Sequence, residues 1–147
     1  MLELKAILDD TLKDDKYASL LFTSTNPKFF SNGLDAANVL ATPDDKLVEE
    51  VGEIVLFFGN LLRFDKPVIT EVTGYAMGGG AVITVGSDYK YMIDGKARIS
   101  FSEVLVGLPL PGNFTDKIAR TVLPQYVTEV CAGANYKAQE AKAIRCV

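Results

Sequence analysis

The stretch Val72-Thr73-Gly74-Tyr75-Ala76-Met77-Gly78-Gly79-Gly80-Ala81-Val82 decides how the rest of the chain is read. Before it, Pro67 to Val72 has the pattern of a buried strand; after it, Ala81 to Gly86 is short, apolar and able to be helical. A strand that passes through glycines into a helix brings bare N–H groups close to a ligand, because glycine has no Cβ in the way. The first N–H groups of the helix have no partner inside it, and the helix dipole makes that end attractive to negative charge. Such a turn can hold a phosphate, a carboxylate, or the oxyanion formed when a thioester becomes an enolate. The same glycines would also serve a tight turn that only lets helix and strand pack closely. Two nucleotide motifs are excluded. Ala81-Val82 follows the last glycine where a P-loop needs Lys and then Ser or Thr, and three residues separate Gly74 from Gly78 where G-x-G-x-x-G allows one.

At 147 residues, with 48% hydrophobic and 23% charged residues, the chain reads as one globular domain, 1–147. Its net charge of −4 and lack of a basic stripe argue against a nucleic-acid partner. The two cysteines, Cys131 and Cys146, read as reduced thiols. No apolar run is long enough for a membrane span, and no signal-peptide pattern opens the chain, so a soluble protein that is not secreted is expected. The absence of histidine removes Ser-His-Asp and Cys-His nucleophile systems and most zinc sites. Proton transfer must fall to carboxylates, lysines, tyrosines or cysteines.

Outward from the glycine turn, the pattern is strand–helix alternation. Leu4, Ile7, Leu8 and Leu12 share a helical face, and Tyr17 to Thr23 reads as a strand. Asn26-Pro27 and Asn32-Gly33 bracket a loop, Lys28 to Ser31, that carries two aromatic rings. Thr42 is the expected N-cap of a helix with Pro43 at its first position, continued by Val48, Val51, Ile54, Val55, Phe58, Leu61 and Leu62. Further strands are expected at Tyr89 to Ile93 and Ala97 to Phe101. Helices are expected at Phe114 to Val122, at Gln125 to Ala132 and from Ala138. This predicts an α/β fold with a largely parallel sheet.

Three segments, in this order and spacing, resemble the crotonase superfamily, the enoyl-CoA hydratase/isomerase family. They are Lys28-Phe29-Phe30-Ser31-Asn32-Gly33-Leu34-Asp35, Lys66-Pro67-Val68-Ile69 through Gly80, and Ser87-Asp88-Tyr89 through Phe101-Ser102-Glu103-Val104-Leu105-Val106-Gly107-Leu108. The resemblance implies a single-domain spiral of ββα turns that takes an acyl-CoA thioester as substrate and needs no cofactor or metal. It implies an enzyme of fatty-acid metabolism in the cytoplasm or an organelle matrix, assembled as trimers or hexamers. Family members begin with a strand hairpin and end with further helices, so both ends of this chain read as shortened.

Matched residue by residue, the oxyanion-hole amides would be those of Leu34 and Gly79. Phe30, Asn32, Gly33, Asp35, Gly78, Gly80, Val82 and Leu108 would surround the substrate. Family hydratases use two glutamates. Glu103 stands at the second position, but Val82 occupies the first and cannot exchange a proton. One carboxylate suffices to remove a proton at one carbon and return it two carbons away, the pattern of the Δ3,Δ2-enoyl-CoA isomerases in this superfamily. A hydratase, a related hydrolase or decarboxylase, and a non-catalytic CoA-binding protein are the alternatives. From the residues alone, Glu103 also fits a surface carboxylate or helix cap. Its place after an apolar strand, between Phe101 and Val104, favours a partly buried base. Asp35, Asp88 and Asp94 sit beside loop signals and fit turn or capping roles. Cys131 fits helix packing, and Lys28 a solvated cation or a phosphate contact.

Overall fold

The computed structural model describes residues 2–147, in which one pattern repeats three times. After an opening helix, α1 (Leu2–Lys13), come β1 (Leu20–Phe22), β2 (Phe29–Ser31), α2 (Ala36–Ala41) and α3 (Asp44–Leu61). The second unit is β3 (Val68–Val72), β4 (Tyr75–Met77) and α4 (Gly79–Gly86). The third is β5 (Tyr89–Met92), β6 (Arg98–Ser100), a 3-10 turn at Glu103–Val106 and α5 (Gly112–Thr121). A 3-10 turn at Pro124–Tyr126, α6 (Val127–Cys131) and α7 (Ala138–Ala143) follow.

The first strands of the three units pair into one sheet, order β1-β3-β5, and the second strands into another, β2-β4-β6. Every pairing in both is parallel, with Leu21 beside Ile69 and Ile69 beside Tyr89 in the first, and Ala76 beside Ile99 in the second. Each ββα unit therefore adds one strand to each sheet, which is a spiral of three turns. The parallel sheet expected from the alternation is in fact two.

Local chemistry accounts for the pieces. In β3, Val68, Thr70 and Val72 point inward and are at most 1% exposed, alternating with Ile69 and Glu71. Helix α4 is buried all round, from Gly80 to Gly86, as expected of a helix with no polar face. Its interior hydroxyls are satisfied: Thr84 donates to the Gly80 carbonyl at 2.9 Å, and Ser87 meets the Thr70 hydroxyl at 2.6 Å. Phe57, Phe58 and Leu61 of α3 complete this core.

Several expectations are corrected. In α1 the buried positions are Leu8 and Thr11, while Ile7 and Leu12 are exposed; Thr11 hides its hydroxyl by donating to the Ile7 carbonyl at 2.7 Å. Helix α3 begins at Asp44 with Pro43, not Thr42, at the cap position. Thr42 instead donates to the Asn38 carbonyl at 2.7 Å, finishing α2. The expected loop Lys28 to Ser31 contains β2, and the glycine stretch itself contains β4. Strands of three residues are too short for periodicity to reveal, and exist because each finds a partner. The helix expected at Gln125 to Ala132 is split between a 3-10 turn and α6.

Candidate active site

Parallel strands end on the same side, and the segments that leave the second sheet there come together. Strand β2 runs into Asn32-Gly33-Leu34, β4 into Gly78-Gly79, and β6 into Phe101-Ser102-Glu103. The first two touch: a Cβ on Gly33 would lie 2.5 Å from the Gly79 nitrogen, and Gly33 has φ +77°. Gly78, at φ 52° and ψ −121°, holds the bend between strand and helix in a conformation essentially reserved for glycine. Its N–H donates to the Ser100 carbonyl at 3.0 Å, tying the turn to β6. A Cβ at Gly78 would lie 3.5 Å from Glu103 Oε1, 3.6 Å from Ser102 Oγ and 3.7 Å from the Asn32 carbonyl oxygen. All three segments thus converge on Gly78.

Gly80 has a different task. A Cβ there would fall 2.4 Å from the Ser31 carbonyl oxygen, so it lets α4 lie directly on the end of β2. The close-packing reading of the glycine cluster is thus met at Gly80.

The first intrahelical bond of α4 runs from the Val82 N–H to the Gly78 carbonyl at 3.1 Å. The Gly79 N–H, one residue past the bend, has no acceptor among the described residues, and neither has the Leu34 N–H. Leu34 and Asn32 are exposed; Phe30 is half-buried and packs against the core. Asp35 caps α2, its Oδ1 accepting the Ala37 and Asn38 N–H groups at 3.0 and 3.3 Å.

Glu103 opens its 3-10 turn and is half-buried. Its carbonyl accepts the Leu108 N–H at 3.0 Å, which anchors its backbone, while Oε2 is buried with no hydrogen-bond partner among the described residues. Burial pushes the carboxyl above its ordinary range, opposed in part by its own backbone amide. A carboxyl held above its ordinary range with a free buried oxygen is one able to exchange a proton near neutral pH.

Val82 is 5% exposed and faces an apolar cavity of about 10 Å³ shared with Phe58, Phe101 and Phe114. The remaining carboxylates weighed from the sequence serve the frame. Asp88 accepts the Val68 N–H at 2.9 Å, and Asp94 holds the Gly95 N–H and the Gln139 side chain. Lys28 places its ammonium 5.0 Å from the centre of the Phe29 ring. Cys131 and Cys146 are free thiols; burial pushes Cys146 up to about 12.

Three residues near the site escaped sequence reasoning. Ser31 accepts the Gly33 N–H on its hydroxyl at 3.2 Å, Ser102 stands beside Gly78, and the Phe58 ring tip lies 3.9 Å from the Cβ direction of Gly79. Only Ser102, adjacent to Glu103, carried a local signal.

The chain belongs to the enoyl-CoA hydratase/isomerase family, whose profile matches residues 1–146. It is similar to enoyl-CoA delta isomerase 3 of Arabidopsis thaliana, with 26% identity over 97% of this chain and 62% of the relative. It is similar also to the peroxisomal enoyl-CoA delta isomerase 2 of the same plant, with 29% identity over 75% of this chain and 48% of the relative. Among solved structures, an enoyl-CoA hydratase from Bacillus anthracis superposes with a TM-score of 0.90 at 22% identity, over 99% of this chain and 56% of that one. The fold is therefore the crotonase spiral, and the chain spans about half the length of the relatives it matches. No helix among the described residues is long and apolar enough to cross a membrane.

Proposed function

We propose that this chain isomerises 3-enoyl-CoA to 2-enoyl-CoA, with Glu103 as the single proton carrier. The thioester oxygen sits on the free N–H groups of Leu34 and Gly79. Glu103, ionised, takes a proton from carbon 2, and the electron pair delocalises onto the thioester oxygen as a dienolate. Glu103 then returns the proton at carbon 4, leaving the double bond between carbons 2 and 3. Each amide that meets the developing oxyanion is worth ~3 kcal/mol in the transition state, and the positive end of α4 adds to it.

The observation that carries this reading is one buried carboxylate without a hydrogen-bond partner, Glu103, in a chain that has valine at position 82 where a second carboxylate would be needed. Water addition calls for a second group to position and deprotonate water, and Val82 supplies none. The names of the two plant relatives, delta isomerases, point the same way. No cofactor enters the scheme, and coenzyme A arrives as part of the substrate.

The test incubates the protein separately with 3-hexenoyl-CoA and 2-hexenoyl-CoA and resolves the products by chromatography. Conversion of the first to 2-hexenoyl-CoA, with little 3-hydroxyhexanoyl-CoA from the second, is expected. Hydration as fast as isomerisation would overturn the single-carboxylate scheme. Binding of both without turnover would mark an acyl-CoA-binding protein.

A further inference from the structure

The helices around the cavity behind Val82 each contribute residues at positions i, i+3 and i+4, apolar apart from Lys117, so three faces close on one another. The space left between them is about 10 Å³, at the lower limit of the roughly 10–15 Å³ that one water occupies. Phe58 lines this space and also reaches the amide end of α4. Phe58, 5% exposed, has its ring tip 3.9 Å from the Cβ direction of Gly79. The ring is locked edge-to-face on Phe114 at 4.8 Å and on Phe57 at 5.2 Å. An alkyl chain whose thioester oxygen rests on the Gly79 amide meets this ring if it heads for the apolar interior.

We propose that Phe58, held by Phe114, limits the acyl chain length, so that the site takes short acyl thioesters and turns longer ones away. The proposal rests on the reading of the Gly79 amide as a thioester-oxygen donor. It has a structural rival in the turn that follows Glu103: Val104, Leu105 and Val106 are 48%, 68% and 68% exposed, an open apolar surface along which a long tail would lie. The Phe58 wall favours short chains, whereas that surface would favour long ones.

Calorimetric titration with butyryl-CoA, hexanoyl-CoA, decanoyl-CoA and free coenzyme A separates the two. The wild-type protein should bind the two short thioesters more tightly than decanoyl-CoA by about tenfold or more, the scale on which a filled apolar pocket discriminates. Phe58→Leu and Phe58→Ala should each move that ratio toward decanoyl-CoA by about tenfold. Circular dichroism checks that both variants are folded, and the wild-type series stands even where Phe58→Ala is not. Decanoyl-CoA binding as tightly as butyryl-CoA in the wild type, or an unmoved ratio in folded variants, would overturn the proposal and leave the isomerase reading intact. Acyl thioesters binding no better than free coenzyme A would overturn both.

Discussion

Replacing Gly80 by alanine tests whether the end of β2 and the start of α4 are as close as the structure makes them. The new methyl carbon would sit 2.4 Å from the Ser31 carbonyl oxygen and 3.0 Å from its Cβ. An ordinary C···O approach is about 3.3 Å, so helix and strand end must part by roughly 0.9 Å. Backbone, not a flexible side chain, is in the way. Overpacking of this kind costs about 1–3 kcal/mol, or roughly 3–10 °C in thermal midpoint for a chain of this size. The displacement also carries Gly33 and Leu34 away from Gly79, and a misplacement of ~1 Å at a reacting centre costs on the order of 10² in rate. The control is Gly52→Ala, on α3, where an added Cβ meets nothing within 4 Å and helix propensity should raise stability by about 0.5–1 kcal/mol. Thermal melts and the 3-hexenoyl-CoA assay measure both variants. A Gly80→Ala protein that melts with the wild type and keeps its activity would refute the contact and the oxyanion geometry built on it.

Glu103→Gln preserves shape and removes the base; turnover should fall by ~10²–10⁴ while binding of hexanoyl-CoA survives, and isomerisation within a few-fold of wild type would rule Glu103 out. Because burial raises the Glu103 carboxyl, kcat/KM should climb with pH through an apparent value above the ordinary 4.5, as ionisation creates the base. The folded state holds that proton more tightly than the unfolded one, so stability should decline as pH rises from 4.5 through the raised value. Denaturation across pH should show this slope in the wild type and not in Glu103→Gln. Val82→Glu should raise hydration of 2-hexenoyl-CoA above the wild-type level, at a cost of about 2–5 kcal/mol in urea denaturation for burying a carboxyl among Phe58, Phe101 and Phe114; no gain in hydration by the folded variant would refute the role given to Val82.

What the sequence made legible was local. The glycine turn and the buried helix after it are written in consecutive residues, and so is Glu103 at the end of an apolar strand. What it hid was pairing. Phe29 to Ser31 becomes a strand because Tyr75 lies beside Phe29, and Tyr75 to Met77 because Arg98 to Ser100 lie beside them. The exposure of Ile7 and burial of Thr11 invert their polarity, and only a hydroxyl bonded within its own helix permits that. Phe58 read correctly as a core position of α3, but its nearness to Gly79 depends on where α4 docks. The separate duties of Gly78 and Gly80 were likewise out of reach, since the atoms that decide them belong to Glu103 and Ser31.

The three-turn spiral also bears on how activity is acquired. In the proposed mechanism each turn delivers one component: the Leu34 amide from the first, the Gly79 amide from the second and the Glu103 carboxylate from the third. No single ββα unit holds a fragment of the chemistry that works alone, and nothing nearby in sequence brings the components together. They meet only after long loops have closed, the step that slows the folding of non-local topologies. On that mechanism catalysis is a late property of the folding chain: secondary structure can return turn by turn, but turnover should return only when the third turn has wound onto the other two.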